Sequence, residues 1–278
     1  MQGYKGFSPD LICRDAQYSE HTVFTVDDYV VPCQSGLHFC RSPLDVIDFY
    51  PLINADGRLN AMATVESRGD VHELGTKLCT SSLYVNERLT LYEMVYSAFE
   101  YTLRNVGRSA LDRMRISIDS SYAKIVTMTS AVRVSASSEY AVIFAYSDYG
   151  HIATSGNNTS ILSVGSRTNI INSGECSQIV TDGSRVRVSS CGDYTTIYAV
   201  GDDAEIISSG IADKVIVEGK NTTVGLFGDG AIFKAVEGTI IDAKGIGRLV
   251  IDGKKYSSDK FYTIDQGKVV EWERRLYE

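Results

Sequence analysis

Three cysteines and a histidine near the N-terminus have side chains that could bind a metal ion. Cys33, His38 and Cys40 form a C-x4-H-x-C segment, and Cys13 lies upstream of it. Thiolates and an imidazole match the ligand set of a tetrahedral zinc site, but the segment lacks the usual C-x2-C spacing. The alternative interpretation is that these are small buried thiols and a hydrogen-bonded histidine. We favour that alternative and expect no metal or other cofactor.

The pattern of residues 1–120, which must position these side chains, predicts an α+β domain. Ser42, an N-cap residue followed by a proline, predicts a short helix. Thr90 and Glu93 form a capping box before a second helix, whose apolar residues have helical spacing and for which Gly107 supplies a stop. Strands are predicted around residues 4–7, 21–31, 61–65 and 77–85.

From Ile125 to Phe233 every ninth residue is apolar, and through most of this stretch a glycine follows four residues later. Such a fixed period is typical of a β-solenoid. The residue before each glycine alternates over 18 residues, which indicates two units per coil. We expect each glycine to adopt a turn conformation that a Cβ would oppose. The central ladder residues are Ile152, Ile161, Ile170, Ile179, Val188, Ile197, Ile206, Val215 and Val224, with Gly156, Gly165, Gly174, Gly183, Gly192, Gly201, Gly210, Gly219 and Gly228.

The predicted fold is therefore mainly β, with the α+β domain followed by a parallel β-solenoid over residues 121–238, with about 18 residues per coil. A C-terminal cap over residues 239–278 is predicted as a β-hairpin, with turns at Asp252–Gly253 and Gln266–Gly267. We expect the α+β domain to cover the other end of the solenoid. Open coil ends also make a homo-oligomer an expectation.

The repeat columns argue against two known ligands of solenoids. Calcium-binding nine-residue repeats carry an aspartate two residues before the apolar position. In this chain that column holds Asp213 among threonines, serine, valine and alanine, so the pattern is not that of a calcium site. We interpret the threonines as β-branched strand residues, in a column too often interrupted to match ice.

Charge and hydropathy exclude further classes of protein. The net charge is −8, which argues against direct binding of nucleic acid or of an anionic membrane. No apolar stretch approaches the roughly 20 residues that span a bilayer, and the N-terminus lacks the features of a secretory signal. We therefore expect a cytoplasmic protein in which the cysteines are reduced.

Several N-terminal motifs occur in a distinctive order. Residues 4–7 read YKGF, residues 33–46 read CQSGLHFCRSPLDV, and Phe49–Tyr50 follow. Over about the first 100 residues this order resembles an uncharacterised domain family of phage and prophage proteins. The chain departs from the family pattern at residues 15–17, where Asp-Ala-Gln stands in place of Gly-Phe-Gln. The resemblance implies a phage or prophage origin, and hence a bacterial host cell, but no activity.

A second resemblance concerns an enzyme fold. The order of an early lysine, a histidine before a short helix and later strands is loosely similar to ADP-ribosyltransferases. That resemblance implies that Lys5 or His38 holds NAD and that a later glutamate, here Glu66, stabilises the developing ribosyl cation. Glu66 does not lie in the expected Glu-x-Glu frame. A cysteine nucleophile with His38 as its base is a weaker alternative still, because no third residue is placed to orient it.

Three functional hypotheses remain open. We favour a non-enzymatic interaction or scaffold protein that binds a host protein, with inhibition of a host defence system as a special case. The first alternative is the ADP-ribosyltransferase-like enzyme or a degenerate relative. The second is an acidic mimic of nucleic acid, which would use a stripe of carboxylates along the solenoid: Asp193, Asp202, Asp203, Glu205 and Asp229.

Overall fold

The structure is a computed structural model that describes residues 1–26, 30–31, 34–105 and 115–273. The chain divides into two units, Met1–Arg108 and Ser109–Glu278. Across the described ranges, no helix has both the length and the apolar character that crossing a membrane requires.

The first unit is built on an antiparallel sheet. Its elements are β1 (Gln2–Phe7), β2 (Ile12–Cys13), β3 (Ala16–Gln17), β4 (Thr22–Thr25), β5 (Leu37–Cys40), α1 (Pro43–Val46), β6 (Ala61–Ser67), β7 (Val71–Leu74), β8 (Lys77–Thr80), β9 (Ser82–Arg88) and α2 (Leu91–Asn105). Seven strands form one sheet in the order β4-β9-β6-β1-β5-β8-β7, and β2 pairs with β3 separately. The apolar core of this unit includes Phe7, Phe39, Val65, Leu78 and Leu83.

Both helices of the first unit begin at the predicted caps. The Ser42 hydroxyl accepts a hydrogen bond from the Leu44 N–H at 3.2 Å. The Glu93 carboxylate accepts from the Thr90 N–H at 2.8 Å, and the Thr90 hydroxyl accepts from the Glu93 N–H at 3.2 Å. These bonds satisfy N–H groups that a first helical turn leaves unpaired. The predicted stop at Gly107 lies outside the described residues.

The second unit is a parallel β-solenoid followed by two hairpins. Its strands are β10 (Arg115–Ile118), β11 (Lys124–Thr127), β12 (Arg133–Ala136), β13 (Val142–Ala145), β14 (His151–Thr154), β15 (Ser160–Ser163), β16 (Asn169–Asn172), β17 (Gln178–Thr181), β18 (Arg187–Ser190), β19 (Thr196–Ala199), β20 (Glu205–Ser208), β21 (Lys214–Val217), β22 (Thr223–Leu226), β23 (Ile232–Ala235), β24 (Ile240–Ala243), β25 (Gly247–Val250), β26 (Tyr262–Asp265) and β27 (Lys268–Glu271).

The strands of the solenoid alternate between two sheets, so the predicted fold class is confirmed. Even-numbered strands from β10 to β24 form the first sheet, and odd-numbered strands from β11 to β23 form the second. Ile152 pairs with Ile170, one coil of 18 residues later, whereas the last coil is shorter and pairs Val224 with Ile241. The ladder residues lie buried in one continuous core.

The repeated glycines are required for a reason that differs from the prediction. They do not have positive φ, but a Cβ on Gly174 would lie 2.0 Å from the carbonyl oxygen of Gly156 in the preceding coil. The left-handed conformation falls instead two residues later, at non-glycine positions such as Asn158, Arg167 and Cys176. Glycine is therefore selected by the close approach of neighbouring coils, not by its own turn conformation.

The residues that stand two positions before each central apolar ladder residue form a buried column. The hydroxyl of Thr159 donates to the Gly156 carbonyl at 2.8 Å, and that of Thr195 donates to the Gly192 carbonyl at 2.9 Å. These threonines are buried, so they present no face to ice. Asp213 lies in the same column, and its carboxylate accepts hydrogen bonds from the N–H groups of Thr195 and Gly210.

The predicted C-terminal hairpin is confirmed, and a second hairpin precedes it. Strand β25 pairs with β24, and β26 pairs with β27. The predicted turn at Gln266–Gly267 joins β26 to β27, with φ of 46° and 72°. Asp252–Gly253 is not a hairpin turn, because it follows β25, and the Asp252 carbonyl accepts from the Tyr256 N–H at 2.8 Å.

Candidate functional site

A cavity of about 710 Å³ lies in the first unit. Strand β1 pairs with β6 along its length and with β5 at Tyr4 and Cys40, and both β1 and β5 line the cavity. Its volume is in the range of small-molecule sites. The polar side chains that line it include Lys5, Cys13, Arg14, His38, Tyr50 and Lys77.

Lys5 is the central polar residue of the cavity. Only 4% of its surface is exposed. Its ammonium donates to the His38 carbonyl oxygen at 2.8 Å and to the Cys13 sulfur at 3.3 Å, and it lies 5.4 Å and 5.2 Å from the ring centres of Phe7 and Tyr18. Burial lowers the pKa of Lys5. Within the described ranges no carboxylate forms an ion pair with it, which is unusual for a buried lysine.

The Cys13 sulfur receives a second hydrogen bond, from the Tyr50 hydroxyl at 2.9 Å. Burial, and then the hydrogen bond to the thiol, raise the pKa of Tyr50, so its hydroxyl keeps the proton that it donates. A Cβ on Gly6 would lie 2.6 Å from the Cβ of Tyr50. The glycine of the YKGF motif therefore makes room for the tyrosine that contacts the sulfur.

His38 contributes to the cavity mainly as a neutral imidazole. Its pKa is lowered, first by burial and then by the positive charges of Lys5, Arg14 and Lys77. Its backbone carbonyl is the acceptor for Lys5. The contact between Lys5 and His38 thus runs through the main chain of His38.

The predicted metal ligands are distributed differently from a zinc site. Cys13, His38 and Cys40 all line the cavity, whereas Cys33 lies outside the described residues. Among the residues that the structure describes, no three histidine, cysteine or acidic side chains are close enough to hold one ion. The ammonium of Lys5, which contacts the Cys13 sulfur, is also unfavourable for a bound cation.

Glu66 is not part of this cavity. It pairs with Gln2 across β1 and β6, whereas Lys5 pairs with Ala63. Because side chains alternate along a strand, Lys5 and Gln2 point to opposite faces of the sheet, and Glu66 shares the face of Gln2. Glu66, the carboxylate that the ADP-ribosyltransferase resemblance nominates, therefore does not share the face of Lys5.

Sequence reasoning assigned no role to Tyr50, Arg14 or Lys77, although Tyr50 stands in the motif that carried the family resemblance. The sequence does indicate Tyr50 in one way, because this tyrosine closely follows the PLDV segment of the motif. Among the described residues, the carboxylates that line the cavity are Asp15 and Asp48.

Residues 1–97 match the model of a family described as a domain of unknown function (DUF7666). The N-terminal resemblance to an uncharacterised domain family is thereby confirmed. All residues that line the cavity fall within the matched segment. No curated protein and no solved structure matches the chain.

The solenoid has one open face. In the second sheet, the third residue of the strands is buried even though it points away from the ladder core, as at Phe144, Leu162 and Val180. In the first sheet, the first and third residues of β10, β12 and β14 are exposed. The first sheet therefore offers an accessible surface.

Two arginines and a histidine form a column on this open face. Arg115, Arg133 and His151 occupy equivalent positions in three successive coils, and we call them the basic column. Beside them lie the small residues Ser117 and Ser135, followed by an alanine, and together they line a shallow groove of about 370 Å³. Over the described part of the chain, neither arginine of the column has an ion-pair partner. The arginine that lies four coils after Arg115 does form an ion pair with a glutamate.

The carboxylates proposed for a nucleic-acid mimic are mostly engaged within the solenoid. Asp193 and Asp202 each accept a hydrogen bond at 2.7 Å from a backbone N–H of the next coil. Asp203 lies 4.0 Å from Arg185, and Glu205 lies 3.0 Å from Arg187. These contacts break up the continuous negative stripe that mimicry would require.

Proposed function

We propose that this chain is a non-enzymatic interaction protein, in which the solenoid is a rigid scaffold that binds an acidic segment of a host protein. The observation that supports this proposal is the basic column, whose arginines have no ion-pair partner in the described ranges on an otherwise acidic chain. We also propose a phage or prophage origin, which the N-terminal resemblance supports, and action in the bacterial cytoplasm.

The spacing and chemistry of the column favour a carboxylate-bearing partner. Neighbouring strands in a sheet are about 4.8 Å apart, so the three side chains of the basic column span roughly 10 Å along the solenoid. Arginine binds carboxylates through two parallel hydrogen bonds. The small residues beside the column leave room for an extended peptide to lie against the sheet.

The net charge of −8 favours a short acidic segment over a long polyanion. A nucleic acid that extends beyond the column meets repulsion from the rest of the chain. A short peptide is affected mainly by charges within a screening length of about 8 Å at physiological salt. Inhibition of a host defence protein through such a segment is the special case that gives the proposal its biological interest.

Binding of a fluorescein-labelled hexaglutamate peptide to the intact protein tests the proposal. We expect fluorescence anisotropy to show saturable binding that weakens with salt, and about tenfold weaker binding by a variant with Arg115→Ala and Arg133→Ala. Arg187→Ala is the matched control, because Arg187 already pairs with Glu205. Equal affinities of the two variants, or tighter binding of a labelled oligonucleotide than of the peptide, would overturn it.

A further inference from the structure

The stability of the first unit does not explain why Lys5 is buried. A buried charge is costly unless an opposite charge and hydrogen bonds compensate it. Lys5 contacts a carbonyl oxygen, a sulfur and two aromatic rings, and over the described ranges no carboxylate pairs with it. The sulfur of Cys13 is the contacting group that can carry a negative charge.

Two hydrogen-bond donors point at this sulfur. The Lys5 ammonium lies at 3.3 Å and the Tyr50 hydroxyl at 2.9 Å. Donors and a positive charge beside a cysteine stabilise the thiolate, which is its nucleophilic form. Cys13 is also only partly buried and lines the cavity of about 710 Å³, so a small molecule in that cavity reaches the sulfur.

We propose that Cys13 is a nucleophile that adds reversibly to the carbonyl carbon of an aldehyde bound in this cavity. A C–S bond forms as the C=O π bond opens, and the oxygen takes a proton from the Lys5 ammonium. The proton that Cys13 gives up replaces the donated one, so thiol and aldehyde combine into a hemithioacetal. No leaving group, oxidant or reductant is needed. The two groups that donate to the sulfur can also donate hydrogen bonds to the oxygen of the adduct.

The lining of the cavity indicates which aldehydes fit. Among the described lining residues, the basic side chains of Lys5, Arg14 and Lys77 outnumber the carboxylates of Asp15 and Asp48, which favours a ligand with an anionic group. Aromatic side chains also line it, and the Lys77 ammonium lies 4.0 Å from the centre of one of these rings. An aryl aldehyde that carries a carboxylate combines both properties.

The chain contains internal controls for the reactivity of Cys13. Cys176 and Cys191 are exposed on the solenoid. In limited alkylation of the intact protein by iodoacetamide at pH 7, followed by peptide mass spectrometry, we expect Cys13 to react about tenfold faster than either control thiol. Tyr50→Phe and Lys5→Met should remove this advantage without changing the rates at Cys176 and Cys191.

Tyr18→Phe is the matched control for Tyr50→Phe, because Tyr18 also lines the cavity but forms no hydrogen bond with the sulfur among the described residues. Circular dichroism confirms that each variant is folded. If Lys5→Met does not fold, Tyr50→Phe alone decides. Equal rates at Cys13 and Cys176, or an unchanged rate in Tyr50→Phe, would overturn the proposal.

The aldehyde is tested with 4-carboxybenzaldehyde as the probe. We expect the absorbance of its carbonyl to fall on mixing with the intact protein and to recover on dilution. The change should be absent in Cys13→Ser and weaker with uncharged benzaldehyde. A fast reaction with iodoacetamide but no absorbance change that depends on Cys13 would reject the aldehyde as the ligand.

Discussion

The two units bury charged side chains in different settings. In the solenoid, the buried carboxylate of Asp213 accepts hydrogen bonds from the Thr195 N–H at 2.9 Å and the Gly210 N–H at 3.1 Å, and also from the Ser208 hydroxyl. In the first unit, the buried ammonium of Lys5 contacts a thiol beside a cavity. The first arrangement pairs backbone groups and supports the fold, whereas the second leaves a reactive group next to space for a ligand.

The largest effect on the solenoid should come from a single methyl group. Gly174→Ala places a Cβ 2.0 Å from the Gly156 carbonyl oxygen, so the two coils must separate. We expect the free energy of unfolding to fall by about 3 kcal/mol in urea denaturation. Cys176→Gly, two residues later at φ 54°, should change it by about 0.5 kcal/mol or less. A similar cost for both substitutions would contradict the close-approach explanation.

Removing the buried carboxylate should have the next largest effect. Asp213→Ala leaves the Thr195 and Gly210 N–H groups buried without an acceptor, so we expect a loss of about 2 kcal/mol in the free energy of unfolding. Asp242→Ala, on the exposed face of the first sheet, is the control and should cost about 0.5 kcal/mol or less.

The same aspartate predicts a pH dependence. Burial raises the pKa of Asp213, so the folded state keeps its proton to a higher pH than the unfolded state does. The resulting stabilisation is complete below the ordinary aspartate pKa of about 3.9 and disappears as the pH rises through the raised value. Thermal melting between pH 3 and pH 7 should show this component in the natural chain and not in Asp213→Ala.

Lys5→Met should have the smallest effect on stability. Replacing a buried ammonium that lacks a carboxylate by an apolar side chain of similar length should leave the free energy of unfolding unchanged or raise it by about 1 kcal/mol at pH 7. Because the pKa of Lys5 is lowered in the fold, any gain should vanish above the ordinary lysine pKa of about 10.4. A loss of several kcal/mol would show that Lys5 is structural and remove the contrast between the two units.

The solenoid could be predicted from the sequence because its contacts repeat at a constant separation. Ile152 meets Ile170 for the same reason that Ile161 meets Ile179, so one period determines the neighbours of most residues. The glycine explanation was wrong because a residue pattern does not distinguish a special φ from a close approach. The distinction requires the position of the carbonyl oxygen in the preceding coil.

The cavity could be predicted only in part, because its contacts join distant segments once each. Lys5 reaches His38 through the pairing of β1 with β5, and Tyr50, in the turn after α1, reaches Cys13 in β2. The motifs named Lys5, Cys13 and His38 as candidates. They did not show that Tyr50 bonds to the sulfur, which depends on the turn after α1, or that Glu66 lies on the other face, which depends on strand register.

Residues with a left-handed backbone conformation recur at regular intervals along the two edges of the solenoid. From Tyr122 to Asn221 they recur every nine residues, and their backbone geometry recurs while their side chains vary among tyrosine, arginine, asparagine, cysteine, aspartate and alanine. Tyr122 and Tyr140, one coil apart, stack with ring centres 4.9 Å apart. Any side chain that tolerates this backbone can be exchanged there without altering the coil. Substitutions at these positions, natural or designed, can therefore create new contact surfaces at fixed intervals along the edges.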